Sequence, residues 1–219
     1  MKKTRDSGVV YDDFMPRKIW IAAGFGGVPF ILTFVVLGAF APGYDSLTQT
    51  ISSLELTSFG MAQRVNFFVF GLLLITFAVA LKRELNGGWG GSIIPLFQFV
   101  SGVGVIGDAL FIHPPLHLMF DLIAFNATLL VLFLFAWRLW GDARWKGWAA
   151  YSIVTAVLMT AFLTAFGFAN HLGGPAGAWE KMATVVRTVW SVALAGRLLA
   201  GARLDAVPVE RMSFSSLQR

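Results

Sequence analysis

Three histidines, His113, His117 and His171, share this chain with scattered carboxylates, and no cysteine is present to compete as ligand or nucleophile. Imidazole nitrogen and carboxylate oxygen suit zinc and similar divalent ions. A water on such an ion, with an aspartate as general base, could hydrolyse an ester. The sequence therefore offers a zinc-like divalent metal held by His113, His117 and His171 together with Asp108 or Asp121. His117 and Asp121 stand four residues apart, on one helical face, whereas Pro114 and Pro115 break the spacing between His113 and His117. The plainer alternative makes the histidines interfacial side chains and makes Asp108 and Arg187 an ion pair that packs two helices.

The elements that must position these groups are membrane helices. Of the 219 residues, 57% are hydrophobic and 13% charged, and the mean hydropathy is +0.71, usage that a water-soluble core of this size could not bury. Six apolar runs, at about 18–41, 63–81, 92–112, 117–140, 148–170 and 179–200, are each long enough to cross a hydrocarbon layer of about 30 Å. The fold class expected is all-α, a six-helix transmembrane bundle over residues 18–200, with a hydrophilic segment at 1–17 and a tail at 201–219. The first run is too long for a cleaved signal, and Gly24, Gly26, Gly27 and Pro29 predict a kink within it.

Charged side chains facing lipid cost several kcal/mol, roughly, so those inside the runs should point inward. Glu180, Thr184, Arg187 and Ser191 recur at i, i+4, i+7 and i+11 and form one polar stripe. Gln98, Ser101 and Asp108 form a second, and His117, Asp121 and Thr128 a third, with Asn126 deeper and offset. The stripes predict a pocket in the outer half of the bundle, with Asp108, Arg187, Asp121, Glu180, Asn126 and Arg64 as candidates for ligand contacts or ion pairs. Asp108 and Arg187 lie at comparable depth, which predicts that they pair.

Orientation follows from the basic residues. All 17 lysines and arginines except Arg64, Lys181 and Arg187 fall at one set of helix ends, which places both termini in the cytoplasm and the protein, multi-pass, in the cell membrane. Trp20, Trp89, Trp137, Trp140, Trp145 and Trp148 gather at the same boundary and Trp179 marks the other, as interfacial indoles do. The net charge of +5 is thus a topology signal, and no basic, aromatic-interleaved face suggests nucleic acid. Gly102, Gly104 and Gly107 fit a dinucleotide-binding pattern, but they lie inside a span and read as close helix contacts.

Between the first two runs, residues 42–55 contain no basic residue. Asp45 or Ser46 could cap a short helix there with Leu47, Ile51 and Leu54 on its apolar face, acting as a lid or as a surface anchor. Gly43-Tyr44-Asp45, Thr50-Ile51-Ser52, Phe59-Gly60, Gln63, Asn66-Phe67, Gly71-Leu72-Leu73 and Phe77-Ala78 together resemble the prokaryotic membrane family called domain of unknown function 998. That family is similar at greater distance to the Frag1, DRAM and Sfk1 group. The resemblance implies six helices and supplies no activity. Relatives tend to read Ser-Glu at Ser52-Ser53 and Asp-Pro at His113-Pro114, so Glu55 and Asp108 are the carboxylates that would stand in.

Two functions are consistent with these residues. One is a protein that binds a lipid or other apolar ligand, a membrane partner or a second copy of itself through its outer half. The other is a metal-dependent hydrolase acting on a lipid at the outer interface. A small transporter is less well supported, because no inverted repeat or midplane charge pair is evident.

Overall fold

The computed structural model describes residues 16–85, 87 and 90–204. Its main elements are six helices, α1 (Arg17–Phe40), α2 (Gly60–Glu84), α3 (Gly90–Leu110), α4 (Leu116–Leu139), α5 (Trp148–Leu172) and α6 (Ala176–Leu199). All six are long and apolar enough to cross a membrane, and no strand occurs among the described residues. Their bounds differ from the sequence expectation by no more than three residues. Where the glycines predict a kink, α1 is interrupted by a 3-10 turn at Ala23–Phe25 between Arg17–Ala22 and Gly27–Phe40. Lys2, Lys3, Arg5, Trp89, Arg211 and Arg219, on which part of the topology argument rested, lie outside the described residues.

Each helix packs on its neighbours in the chain, and α1 also packs on α6, which closes the ring. The interior holds two apolar clusters and, beside them, the polar groups that lipid would not solvate. Gln98, Ser101, Asp108, Glu180, Thr184 and Arg187 are buried, whereas Leu32, Val154 and Val157 are more than half exposed. The three polar stripes face the interior together: Ser101 and Thr128 join hydroxyl to hydroxyl at 2.8 Å, and Arg187 donates to Ser101 Oγ at 3.4 Å.

Glycines set the closest helix contacts. A Cβ at Gly102 would lie 2.8 Å from the Gly71 carbonyl oxygen, and one at Gly104 would lie 2.7 Å from the Ala124 backbone nitrogen. The apparent nucleotide motif is thus a packing surface that lets α3 approach α2 on one side and α4 on the other.

The end of the bundle that carries residues 16 and 204 is tied by charge and indole. Arg17 forks onto Glu84 at 2.6 and 2.9 Å and also donates to the carbonyls of Leu198 and Ala202. Trp137 and Trp140 are about two-thirds exposed, as belt residues should be. Trp145 departs from that expectation. It is buried beneath the Arg197 guanidinium, 4.6 Å from its ring centroid, and its Nε1 donates to Arg203 O.

The opposite end is covered by residues 41–59, which form a roof. The single helix expected for Leu47, Ile51 and Leu54 does not form. A turn at 45–48 is closed by Asp45, whose carboxylate accepts the Leu47 N–H and the Thr48 hydroxyl, and only Ser52–Leu56 coils, as a 3-10 turn. The carbonyls that a helix would have used go elsewhere, because Leu47 O and Thr48 O accept from the Ala178 and Gly177 N–H groups at the start of α6. Leu47 is therefore exposed, while Ile51 and Leu54 plug the bundle.

Candidate functional site

Beneath the roof lies a cavity of about 30 Å³, lined by Asp108 of α3, Asp121 of α4, Glu180, Thr184 and Arg187 of α6, and Phe30, Ile51, Phe67 and Phe70 among others. That volume suits one or two waters or an ion. Helix register brings the carboxylates here. Gly104 and Ala124 touch, so Asp108, one turn beyond Gly104, and Asp121, one turn before Ala124, meet at the same level.

Asp108, Asp121 and His117 each present a ligand atom, all within 4.8 Å of one another. Asp108 is 2% exposed, and its Oδ1 has no hydrogen-bond partner. His117 Nδ1 lies 2.9 Å from the Phe111 carbonyl, which can only accept, so Nδ1 carries the proton. His117 Nε2 is left facing Asp121 Oδ2 at 3.5 Å without a hydrogen bond of its own. An imidazole anchored to a carbonyl through one nitrogen with the other one available is the arrangement that orients metal-binding histidines. Two carboxylates this close repel unless a proton or a cation lies between them.

Glu180 lines the same cavity as Asp108 and Asp121, and Glu55 lies on the roof. Glu180 accepts the Ile51 N–H at 2.7 Å, which binds the roof to α6. Lys181 completes that seam through Ser46 O at 2.9 Å and Gln49 O at 2.8 Å. Glu55 is buried, with Oε1 unpartnered. Burial pushes its carboxyl up to about 7, while the Arg64 guanidinium draws it down and Asp121 raises it further. In the sequence Glu55 stands out only as a carboxylate that would stand in for a family acid. The signal that could have promoted it is its place as the one charged residue between Asp45 and Arg64.

The remaining candidates are placed differently. Among the described residues no ion pair joins Asp108 to Arg187. The guanidinium reaches Ser101, seven residues or about 10 Å of helical rise deeper than Asp108, and lies over the Phe70 ring at 5.1 Å. The two residues share a cavity without touching. Arg64 is half-buried and donates to Ala109 O at 2.8 Å, which ties α2 to the end of α3. Asn126 is exposed on the outer surface of α4, where its amide donates to Leu122 O, because it lies two residues before the inward Thr128 and so about 200° around the helix. His113 and His171 are exposed and do not belong to the Asp108–His117–Asp121 group. The three-histidine centre is thus not assembled, since His113 precedes the Pro114-Pro115 turn and His171 sits at the solvent end of α5.

Fold and site together define a polytopic membrane protein with a partly buried acid–imidazole cluster under a loop roof. The chain belongs to the family described as "Protein of unknown function (DUF998)", whose profile matches residues 25–197, from the 3-10 turn of α1 almost to the end of α6. No curated protein and no solved structure matches the chain.

Proposed function

We propose that this protein binds a divalent cation within the membrane at Asp108, Asp121 and His117, with the roof facing the exoplasmic side of the cell membrane. The observation that carries the reading is the convergence of three ligand atoms within 4.8 Å, where Asp108 Oδ1 and His117 Nε2 are both buried atoms that make no hydrogen bond. A mixed nitrogen–oxygen donor set favours zinc or a similar ion over calcium or magnesium. A lipid does not fit a cavity of about 30 Å³. A lipid or other apolar ligand, or a membrane partner, would instead use an outer groove such as that lined by Val28, Leu32, Val185 and Val189. The orientation is supported by the distribution of arginine and lysine, and kinship with the Frag1, DRAM and Sfk1 group belongs to the same proposal.

Calorimetric titration of the purified, detergent-solubilised chain with Zn²⁺ tests this reading. One ion per chain is expected. Asp108→Asn should weaken binding by roughly tenfold or more, and the His117→Ala/Asp121→Ala double variant should abolish it. Unchanged binding in that double variant would refute the assignment.

A second reading is favoured by one observation. Three ligand atoms converge, which leaves a coordination position for water, and Glu55 is a buried acid on the roof that covers this end of the bundle. This is the composition of a hydrolytic zinc site with a nearby general base. In that reading the protein cleaves a lipid ester at the interface, and release of fatty acid from lipid vesicles, lost in Asp108→Asn, is the assay.

A further inference from the structure

We propose that the lipid-facing side of α4 is the interface of a homodimer, in which Asn126 pairs with its own copy across a two-fold axis along the membrane normal. The pairing is independent of the cation site, because His117 and Asp121 lie on the other side of the same helix.

Asn126 stands ten residues from Leu116 and thirteen from Leu139 within α4, about 15 and 20 Å of helical rise from its two ends. It is therefore near the middle of a hydrocarbon layer about 30 Å thick, out of reach of interfacial water. The side chain is exposed there, and its one hydrogen bond runs from Nδ2 to Leu122 O at 2.8 Å. That bond spends one of two amide hydrogens. The other hydrogen and Oδ1 find no partner among the described residues, and bare hydrogen-bonding groups are costly in lipid. The exposed Thr160 differs, since its only donor is spent on Ala156 O.

The surface around Asn126 is shaped for a helix. Leu118, Leu122, Asn126, Leu130 and Phe133 follow one another at intervals of four, four, four and three, and all are exposed, so they form one ridge. Beside Leu118, Met119, Leu122 and Asn126 the surface is hollowed into a groove of about 490 Å³. Lipid chains fit such a groove but carry nothing that bonds a carboxamide. The occupant must bring a donor and an acceptor to the middle of the bilayer, and a second copy does so by symmetry. A two-fold axis along the normal sets each residue at the depth of its counterpart. Two carboxamides, each both donor and acceptor, then exchange a reciprocal pair of N–H···O bonds, while the leucine ridge of each helix packs into the groove of the other.

The chain has no cysteine, so oxidative cross-linking of single-cysteine variants of the full chain in lipid vesicles maps the interface without background. Leu122→Cys and Leu130→Cys, which flank Asn126, should cross-link into dimers, and Val154→Cys, on the exposed side of α5, should not. Single-molecule photobleaching in the same vesicles at increasing lipid dilution measures the dimer equilibrium. Asn126→Leu should raise the dissociation constant about tenfold or more, and Asn126→Gln, which keeps the carboxamide, should stay close to wild type. A wild type that remains monomeric, cross-linking through Val154→Cys alone, or undiminished dimerisation of Asn126→Leu overturns the proposal. Should Asn126→Leu fail to fold, the comparison of Leu122→Cys with Val154→Cys still decides.

Discussion

At the scale of single residues, the site turns on which polar atoms lack partners. His113 and His171 are exposed and lie outside the cluster. Replacing either with alanine should leave zinc affinity within about twofold of wild type, surface substitutions being small in effect. A tenfold loss in the same titration would place them in the site. At the other end, Glu84 is buried and its carboxylate is held by Arg17. Arg17→Met strands that charge, and thermal unfolding in detergent should register a loss of about 3 kcal/mol. An unchanged midpoint would mean that Glu84 finds another partner. Residue types told part of this in advance. The inward face of Asp108, Asp121, Glu180 and Arg187 was legible because a charge in lipid has nowhere else to go. Asn126 was misplaced because an amide can satisfy itself on Leu122 O and remain at the surface.

At the scale of elements, the contact between α3 and α4 sets the spacing of the acids. Gly104 lies against the Ala124 backbone, one turn from both Asp108 and Asp121. Gly104→Val should therefore cost about 1–3 kcal/mol through overpacking. It should also weaken zinc binding, although residue 104 touches no ligand. Stability lost with full zinc affinity retained would show that the acids are positioned by something else. The helices and the interruption in α1 could be read from hydropathy and glycine spacing, because length and composition decide whether a segment can cross lipid. The roof could not. Its conformation depends on Leu47 O and Thr48 O accepting from the start of α6, and a pairing between segments about 130 residues apart leaves no trace in local periodicity.

At the scale of the whole molecule, the ring of six helices gives the cavity two very different ends. One is tied by Arg17, Glu84, Trp145 and Arg197, and the other is covered by a roof that lacks a basic residue of its own. The absence of cysteine makes the orientation directly measurable. Gln49→Cys, on the exposed roof, should react with a membrane-impermeant maleimide on intact cells, and Lys146→Cys should react only after permeabilisation. The reverse pattern would invert the topology and put the cation entrance in the cytoplasm.

The central claim is that one cation sits between α3 and α4, and a zinc-edge anomalous difference map from crystals of the zinc-soaked protein tests it most directly. A single strong peak is expected about 2.0–2.2 Å from carboxylate oxygens of Asp108 and Asp121 and from His117 Nε2. A map with no peak there, or with zinc only at His113 or His171, would contradict it.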